Sequence, residues 1–277
     1  MIDTLVLSGG GPSGVSYAGI LKALVEHDIF QKENLKHIIT TSVGIIFAIL
    51  YLLDYNIYQI EKISLESDFN KILNIEDLEI DDLLVKFGLA CNKHVGLSIS
   101  SFIKHKYNKN DLTLKELYDL TNITLTVKVY NVDKRKTEYI NHINNPDIKC
   151  TTLSMMTTAI PFIFKPVKYN DNLYVDGGLK GHLPFEACTS DNYLGLNVKG
   201  GTCNKRNIGL FKYFPILGFT INLMNDSDKD NIDPLDNKIF TYNIDGGLNF
   251  NLNIDERKRM IEKGYNETIE YLKNYKL

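Results

Sequence analysis

The first fifty residues alternate between short apolar strands and apolar helices, and this alternation constrains the fold more than any other feature. A β-rich run from Thr4 to Leu7 precedes a glycine-rich turn and a helical apolar pattern over residues 15–25. Leu35 to Thr41 predicts a second buried strand, and Val43 to Leu53 predicts an apolar helix that packs against it. Strands that alternate with helices are typical of α/β proteins. The sequence therefore predicts a mainly parallel central sheet with helices on both faces.

The remainder of the chain adds strands and helices without an internal repeat or a convincing linker. Residues 57–120 are mostly helical by pattern, and Thr113 and Glu116 form a T-x-x-E capping box that opens one helix. The later elements are predicted as two strands, a short helix, two further strands and a closing amphipathic helix: 123–132, 137–143, 150–159, 173–175, 193–198 and 254–272. We expect residues 1–277 to form a single domain.

Charge and hydropathy exclude several classes of partner. The chain has 31 Lys and Arg against 34 Asp and Glu, a net charge of −3, which predicts no nucleic-acid partner and no general attraction to anionic membranes. No apolar run reaches the ~18 to 20 residues that a transmembrane helix needs. The start of the sequence has no basic and apolar leader pattern. These features predict a cytoplasmic, intracellular protein, with membrane contact confined to local apolar surface.

The cysteines do not have the spacing of a metal site. Four are present without a C-x-x-C pair: Cys91, Cys150, Cys188 and Cys203. This spacing argues against zinc and favours a reduced protein. We expect neither a metal nor an organic cofactor.

A glycine-rich turn, Gly9-Gly10-Gly11-Pro12-Ser13-Gly14, joins the first strand to the first helix. Consecutive glycines can point several N–H groups at one anion, so the turn is either a phosphate cradle or an oxyanion hole, unless it is a tight turn without a ligand. It also fits the G-x-G-x-x-G dinucleotide fingerprint of nucleotide-dependent oxidoreductases. That fingerprint needs an acid near the end of the second strand, where Glu33 comes too early. No Gly-Lys-Ser/Thr follows, so a P-loop is excluded.

Ser42 lies where the second strand meets the second helix, in the sequence Thr40-Thr41-Ser42-Val43-Gly44. This is the setting of a nucleophile elbow, G-x-S-x-G, which lifts a serine hydroxyl out of the backbone. Gly44 provides the small residue that the close approach of strand and helix requires. A helix N-cap serine is the alternative interpretation.

Asp176-Gly177-Gly178 follows a short strand and provides the candidate base. A lone D-G-G is usually a turn, as residues 245–247 illustrate. Asp176 differs because an Ala-Ile-Pro-Phe-Ile-Phe-Lys-Pro-Val segment (159–167) precedes it and Pro184 follows it.

The four motifs together resemble the patatin-like phospholipase family. They are the glycine turn, the serine elbow, the A-I-P-x-x-F-x-P segment and D-G-G with a downstream proline, in that order over residues 5–184. The resemblance implies a three-layer α/β/α sandwich with a mainly parallel central sheet. It also implies acyl-ester hydrolysis on lipids by a Ser–Asp dyad without histidine, with Ser42 as nucleophile and Asp176 as base. It places the oxyanion loop at Gly9, Gly10, Gly11 and Gly14, and supporting positions at Gly44, Gly177 and Gly178.

Three positions depart from the family pattern. Thr40 stands where the elbow has glycine, Ser13 stands where many members carry Arg or Lys, and Gly181-His182 stands where Asn usually precedes the proline. These departures motivate the alternative of a non-catalytic lipid- or protein-binding member of the same fold. His182 is the histidine nearest to Asp176 in sequence, which leaves a Ser–His triad as a second alternative.

An apolar, aromatic stretch over residues 208–224 has two interpretations. It either packs in the core or forms a lip that dips into a lipid interface. Head group, acyl-chain preference and oligomeric state do not follow from the sequence.

Overall fold

The computed structural model describes residues 2–66, 88–200, 236–244 and 251–274. Seven α-helices are described: α1 (Tyr17–Glu26), α2 (Gly44–Leu52), α3 (Ile57–Glu66), α4 (Lys93–Tyr107), α5 (Leu114–Thr121), α6 (Cys150–Thr157) and α7 (Ile254–Asn274). Ten strands are described: β1 (Thr4–Leu7), β2 (His37–Thr41), β3 (Gly88–Ala90), β4 (Thr124–Asn131), β5 (Lys136–Ile140), β6 (Phe162–Phe164), β7 (Val167–Tyr169), β8 (Asn172–Asp176), β9 (Tyr193–Gly200) and β10 (Ile239–Ile244).

Eight strands form one central sheet in the order β10-β9-β1-β2-β4-β8-β7, with β5 paired to β4. The pairs β10–β9, β9–β1, β1–β2 and β2–β4 are parallel, whereas β4–β8, β8–β7 and β4–β5 are antiparallel. Helices flank this mostly parallel sheet. The predicted α/β fold with a mainly parallel sheet is confirmed.

Two strands, β2 and β8, meet end to end along one edge of β4. Residues 124–128 of β4 pair with β2, residues 129–131 pair with β8, and residues 127–131 pair with β5. The residues of β4 that pair with β5 include residues that pair with β2 and residues that pair with β8. Because a strand has only two edges, β2 and β8 must share the edge of β4 opposite β5. Because β2 and β8 run toward each other, their last residues, Thr41 and Asp176, lie opposite neighbouring residues of β4.

The main core lies on one face of the sheet. Alternate strand residues such as Leu5, Leu7 and Ile38 point into a large apolar cluster, which the helices cover. Val6 and Ile39 point the other way and pack with Leu183. In the main cluster α7 packs along α1, so the last described helix is held against the first.

Most predicted elements correspond to observed ones within a few residues, and the Thr113–Glu116 capping box is present. The short strands β3, β6 and β7, and the later strand β10, were not predicted. Three-residue strands carry too little periodicity to be recognised locally. A 3₁₀ helix over Gly11–Ser16 also precedes α1. Four predicted features lie outside the described residues: part of the mostly helical region (67–87), the 208–224 stretch, Cys203 and the second D-G-G at 245–247.

Candidate active site

Ser42 occupies a sharp turn between β2 and α2. Its φ of 52° lies in the left-handed region, which non-glycine residues rarely adopt and which marks strain at functional turns. An added Cβ on Gly44 would collide with the Thr40 hydroxyl and lie 2.8 Å from the Ser8 carbonyl oxygen. The strand therefore lies almost against the start of α2, as a nucleophile elbow requires.

The hydroxyl of Ser42 is in direct contact with the carboxyl group of Asp176. Ser42 Oγ donates to Asp176 Oδ2 at 2.5 Å, and Asp176 Oδ1 accepts from the Gly178 N–H at 2.8 Å. Asp176 is fully buried and Ser42 is 5% exposed. The N-cap position of α2 is held by Val43, and the Ser42 hydroxyl donates to Asp176, so the N-cap interpretation does not describe this serine.

Burial raises the pKa of Asp176 from 3.8 to about 7. The hydrogen bonds from Ser42 and Gly178 and the charge of Lys128 oppose this rise by stabilising the carboxylate. The result is a carboxyl group that changes its protonation near neutral pH while in contact with a serine hydroxyl.

The glycine turn lies beside Ser42. A Cβ on Gly9 would lie 3.1 Å from Ser42 Cβ, and a Cβ on Gly14 would lie 2.6 Å from Val43 Cγ1. Gly9 donates its N–H to the carbonyl oxygen of His182 at 2.9 Å. Within the described part of the chain, the N–H groups of Gly10 and Gly11 donate no hydrogen bond. Two free donors therefore belong to the turn that borders the serine.

A buried tyrosine and a buried serine anchor this turn. Tyr17 OH lies 2.9 Å from the Ser8 carbonyl oxygen and 3.0 Å from that of Leu196. Ser8 Oγ donates to the Gly9 carbonyl at 2.7 Å and accepts from the Val198 N–H at 2.8 Å. Both side chains are completely buried. Sequence reasoning missed them because neither residue belongs to a motif.

Thr157 and Lys128 also contribute contacts that sequence reasoning missed. Thr157 Oγ1 accepts the Ser42 N–H at 2.8 Å and donates to the Lys128 carbonyl at 2.8 Å. An added Cβ on Gly177 would collide with that carbonyl oxygen. Gly177 thus lets the chain after Asp176 lie directly on β4. No local signal connects these residues, since they are far apart in sequence.

The three residues that depart from the family pattern, Thr40, Ser13 and His182, are buried or half-buried in the structure. Thr40 and Ser13 are buried, and their hydroxyl groups have no hydrogen-bond partner among the described residues. His182 is half-buried, with Nδ1 3.4 Å from the position of a Cβ on Gly9. Its imidazole is thus near the site, but the Ser42 hydroxyl donates to Asp176. In the described ranges, no cluster of three His, Cys, Asp or Glu side chains could hold a metal ion.

Comparison with known families identifies the family of the chain. The model of the patatin-like phospholipase family matches residues 5–189, about two thirds of the chain. The chain belongs to the patatin-like phospholipase family. This patatin-like protein is therefore a member of a family of lipid hydrolases.

Two viral proteins are similar in sequence. The patatin-like chain is 29% identical over 183 residues to "Probable lipid hydrolase 463L" of Invertebrate iridescent virus 6; the match covers 66% of the chain and 62% of that protein. It is 26% identical over 275 residues to "Uncharacterized protein R571" of Acanthamoeba polyphaga mimivirus, covering 95% and 91% of the two chains. The chain thus spans less than two thirds of the lipid hydrolase relative.

A solved structure supports the fold. The crystal structure of VipD from Legionella pneumophila superposes with a TM-score of 0.65 at 18% identity, covering 99% of this chain and 67% of that one. At this identity the likeness shows the patatin-like fold alone. None of the helices in the described ranges is both long and apolar enough to cross a bilayer.

Proposed function

We propose that this protein hydrolyses fatty-acyl esters of lipids through an acyl-serine intermediate, with Ser42 as nucleophile and Asp176 as base. The observation that carries the proposal is the 2.5 Å hydrogen bond from Ser42 Oγ to Asp176 Oδ2 at a strained, buried turn. A serine hydroxyl needs an adjacent base to become an effective nucleophile. The raised pKa of Asp176, about 7, provides a base suited to neutral pH.

The proposed reaction has two steps. Ser42 Oγ attacks the ester carbonyl carbon while its proton passes to Asp176, and the protonated carboxyl then returns that proton to the departing alcohol. Water next attacks the acyl-serine while its proton passes to Asp176, which returns that proton to Ser42 Oγ as the fatty acid leaves. The steps need no electron donor or acceptor and no metal.

We assign the oxyanion hole to the glycine turn. The N–H groups of Gly10 and Gly11 donate to no described residue, and Gly9 borders Ser42. Developing negative charge on the carbonyl oxygen would be stabilised by such preorganised donors. Removing one donor of this kind typically slows a reaction about 10²–10³-fold. The Tyr17 and Ser8 hydrogen bonds support this assignment because they hold the turn in one conformation.

The direct contact of Ser42 with Asp176 favours the dyad over a triad that includes His182. A dyad predicts that His182→Ala keeps most of the activity, whereas Asp176→Asn loses as much as Ser42→Ala. A loss in His182→Ala as deep as that in the serine variant would instead support a triad.

The test of the proposed function is serine-directed labelling. We expect a fluorophosphonate to label the wild-type protein and to leave folded Ser42→Ala unlabelled. The alternative, a lipid- or protein-binding member of the fold without catalysis, predicts no labelling of either protein. The matched control is Ser98→Ala, since Ser98 is exposed and its hydroxyl bonds only its own helix.

The substrate, location and organisation of the protein are also proposed. We propose a phospholipid or acylglycerol substrate, met at a membrane surface inside the cell, and a single-domain chain. The family and the lipid hydrolase relative support the substrate class. Packing of α7 on α1 supports one domain. Incubation with mixed phospholipids and neutral lipids, followed by identification of the released products, tests the substrate class.

A further inference from the structure

A lysine lies buried in the central sheet, on the strand against which β2 and β8 end. Lys128 belongs to β4 and is 1% exposed. A lysine is rarely buried to this extent unless its charge is paired, because an unpaired ammonium is costly to remove from water. We therefore identified the acceptors that surround the Lys128 ammonium group.

The ammonium of Lys128 holds the segment that follows Asp176. Nζ donates to the Lys180 carbonyl at 2.7 Å, to the Gly181 carbonyl at 3.1 Å and to Glu186 Oε1 at 2.6 Å. An ammonium has three donors, so all three have acceptors in this one segment. The same segment provides the His182 carbonyl that accepts the Gly9 N–H.

The backbone of the same residue holds the turn that carries Ser42. The Lys128 carbonyl accepts the Thr157 hydroxyl at 2.8 Å and the Thr41 hydroxyl at 3.3 Å. Thr157 in turn accepts the Ser42 N–H. The nucleophile side and the base side of the site are thus both hydrogen-bonded to one residue of β4.

We propose that Lys128 is a positioning residue, which holds the Ser42 turn and the Asp176 segment in contact and keeps positive charge beside the base. The inference rests on the proposed function, since it concerns the same dyad. The hydrogen bonds of Lys128 involve neither the Ser42 hydroxyl nor the Asp176 carboxyl group, so it acts through the segments that carry them. A displacement of about 1 Å between reacting groups can slow a reaction about 10²-fold. A residue that fixes the positions of Ser42 and Asp176 would therefore contribute to the rate.

The charge of Lys128 also affects the pKa of Asp176, which a role in packing alone would not do. Lys128 lowers the pKa of Asp176 against the larger effect of burial. The other charged or titratable side chains near Lys128 are Lys180, His182 and Glu186 on the adjoining segment and Tyr139, which lies opposite Lys128 on β5. Glu186 partly neutralises Lys128. Loss of Lys128 should therefore raise the pKa of Asp176, and loss of the Glu186 charge should lower it.

The experiment is the pH dependence of kcat/KM on a short-chain ester for three variants. In Lys128→Met we expect kcat to fall about 10- to 100-fold, with KM within a few-fold of wild type. Its acidic limb should move up by about one pH unit, since an opposite charge nearby lowers a carboxyl pKa by one to three units. In Glu186→Gln the acidic limb should move to lower pH. The control Lys22→Met removes a peripheral lysine that also has an ion pair, and should behave as wild type.

The outcomes separate the inference from the function on which it rests. If wild type is not labelled at Ser42, the proposed function itself fails. If wild type is labelled but folded Lys128→Met keeps both kcat and the acidic limb, only the positioning role is refuted. Should Lys128→Met not fold, Glu186→Gln decides, and an acidic limb that stays in place or rises overturns the inference.

Discussion

Replacing Asp176 with asparagine should remove activity and at the same time stabilise the fold above neutral pH. The wild-type carboxyl group is buried where its charged form is disfavoured, with a pKa raised from 3.8 to about 7. Asparagine has no charge, yet its amide oxygen can still accept the Gly178 N–H and its amide nitrogen can donate to Ser42 Oγ. The variant therefore keeps the two hydrogen bonds and loses the buried charge.

The magnitude follows from the pKa difference between the folded and unfolded states. Because the folded pKa is raised, the group contributes its full stability below pH 3.8, and this contribution is lost as the pH rises through about 7. A difference of about three units corresponds to about 4 kcal/mol. We expect Asp176→Asn to exceed wild type by up to about 4 kcal/mol in free energy of unfolding at pH 8, and by about 1 kcal/mol at pH 4.5.

Urea unfolding of both proteins at pH 4.5, 6 and 8 measures this difference, and ester hydrolysis on the same samples measures the loss of activity. Asp147→Asn, at an exposed position, is the matched control and should show no such trend. A variant that is less stable than wild type at pH 8, or a difference that does not grow with pH, would refute the reasoning. The double variant Ser42→Ala/Asp176→Asn should lose no more activity than either single variant, because the two residues act as one unit.

Thr40→Val removes a buried hydroxyl that has no partner among the described residues. The variant should gain about 1 kcal/mol in free energy of unfolding, measured by thermal melting, and keep its activity. Loss of most activity would mean that the hydroxyl contributes to the site. Thr157→Val leaves the Ser42 N–H without its acceptor and should lose about 1–3 kcal/mol of stability and about 10-fold in hydrolysis rate. Thr268→Val, which removes a buried hydroxyl that bonds its own helix, is the control and should leave the rate unchanged. Chelators should leave hydrolysis unchanged, and strong inhibition by EDTA would reveal a cation site that the motifs do not predict.

The sequence by itself determined the local elements that present the candidate groups. The apolar run of β1, the glycine turn after it and the strand-to-helix junction at Ser42 are signalled by residues adjacent in the chain. The capping box at Thr113 is equally local, since both partners lie within one helical turn. Together with the ordered motifs, these signals were enough to predict the α/β fold and the family.

Only the tertiary structure decided how these elements meet. β2 and β8 are more than a hundred residues apart, and their ends converge because both pair with the same edge of β4. That convergence brings Ser42 within hydrogen-bond distance of Asp176 and buries the carboxyl group, which is what raises its pKa. Lys128 and Thr157 belong to no motif, and their contacts depend on long-range pairing and burial. Burial and hydrogen-bond distance are properties of packed surfaces, so no pattern of neighbouring residues specifies them.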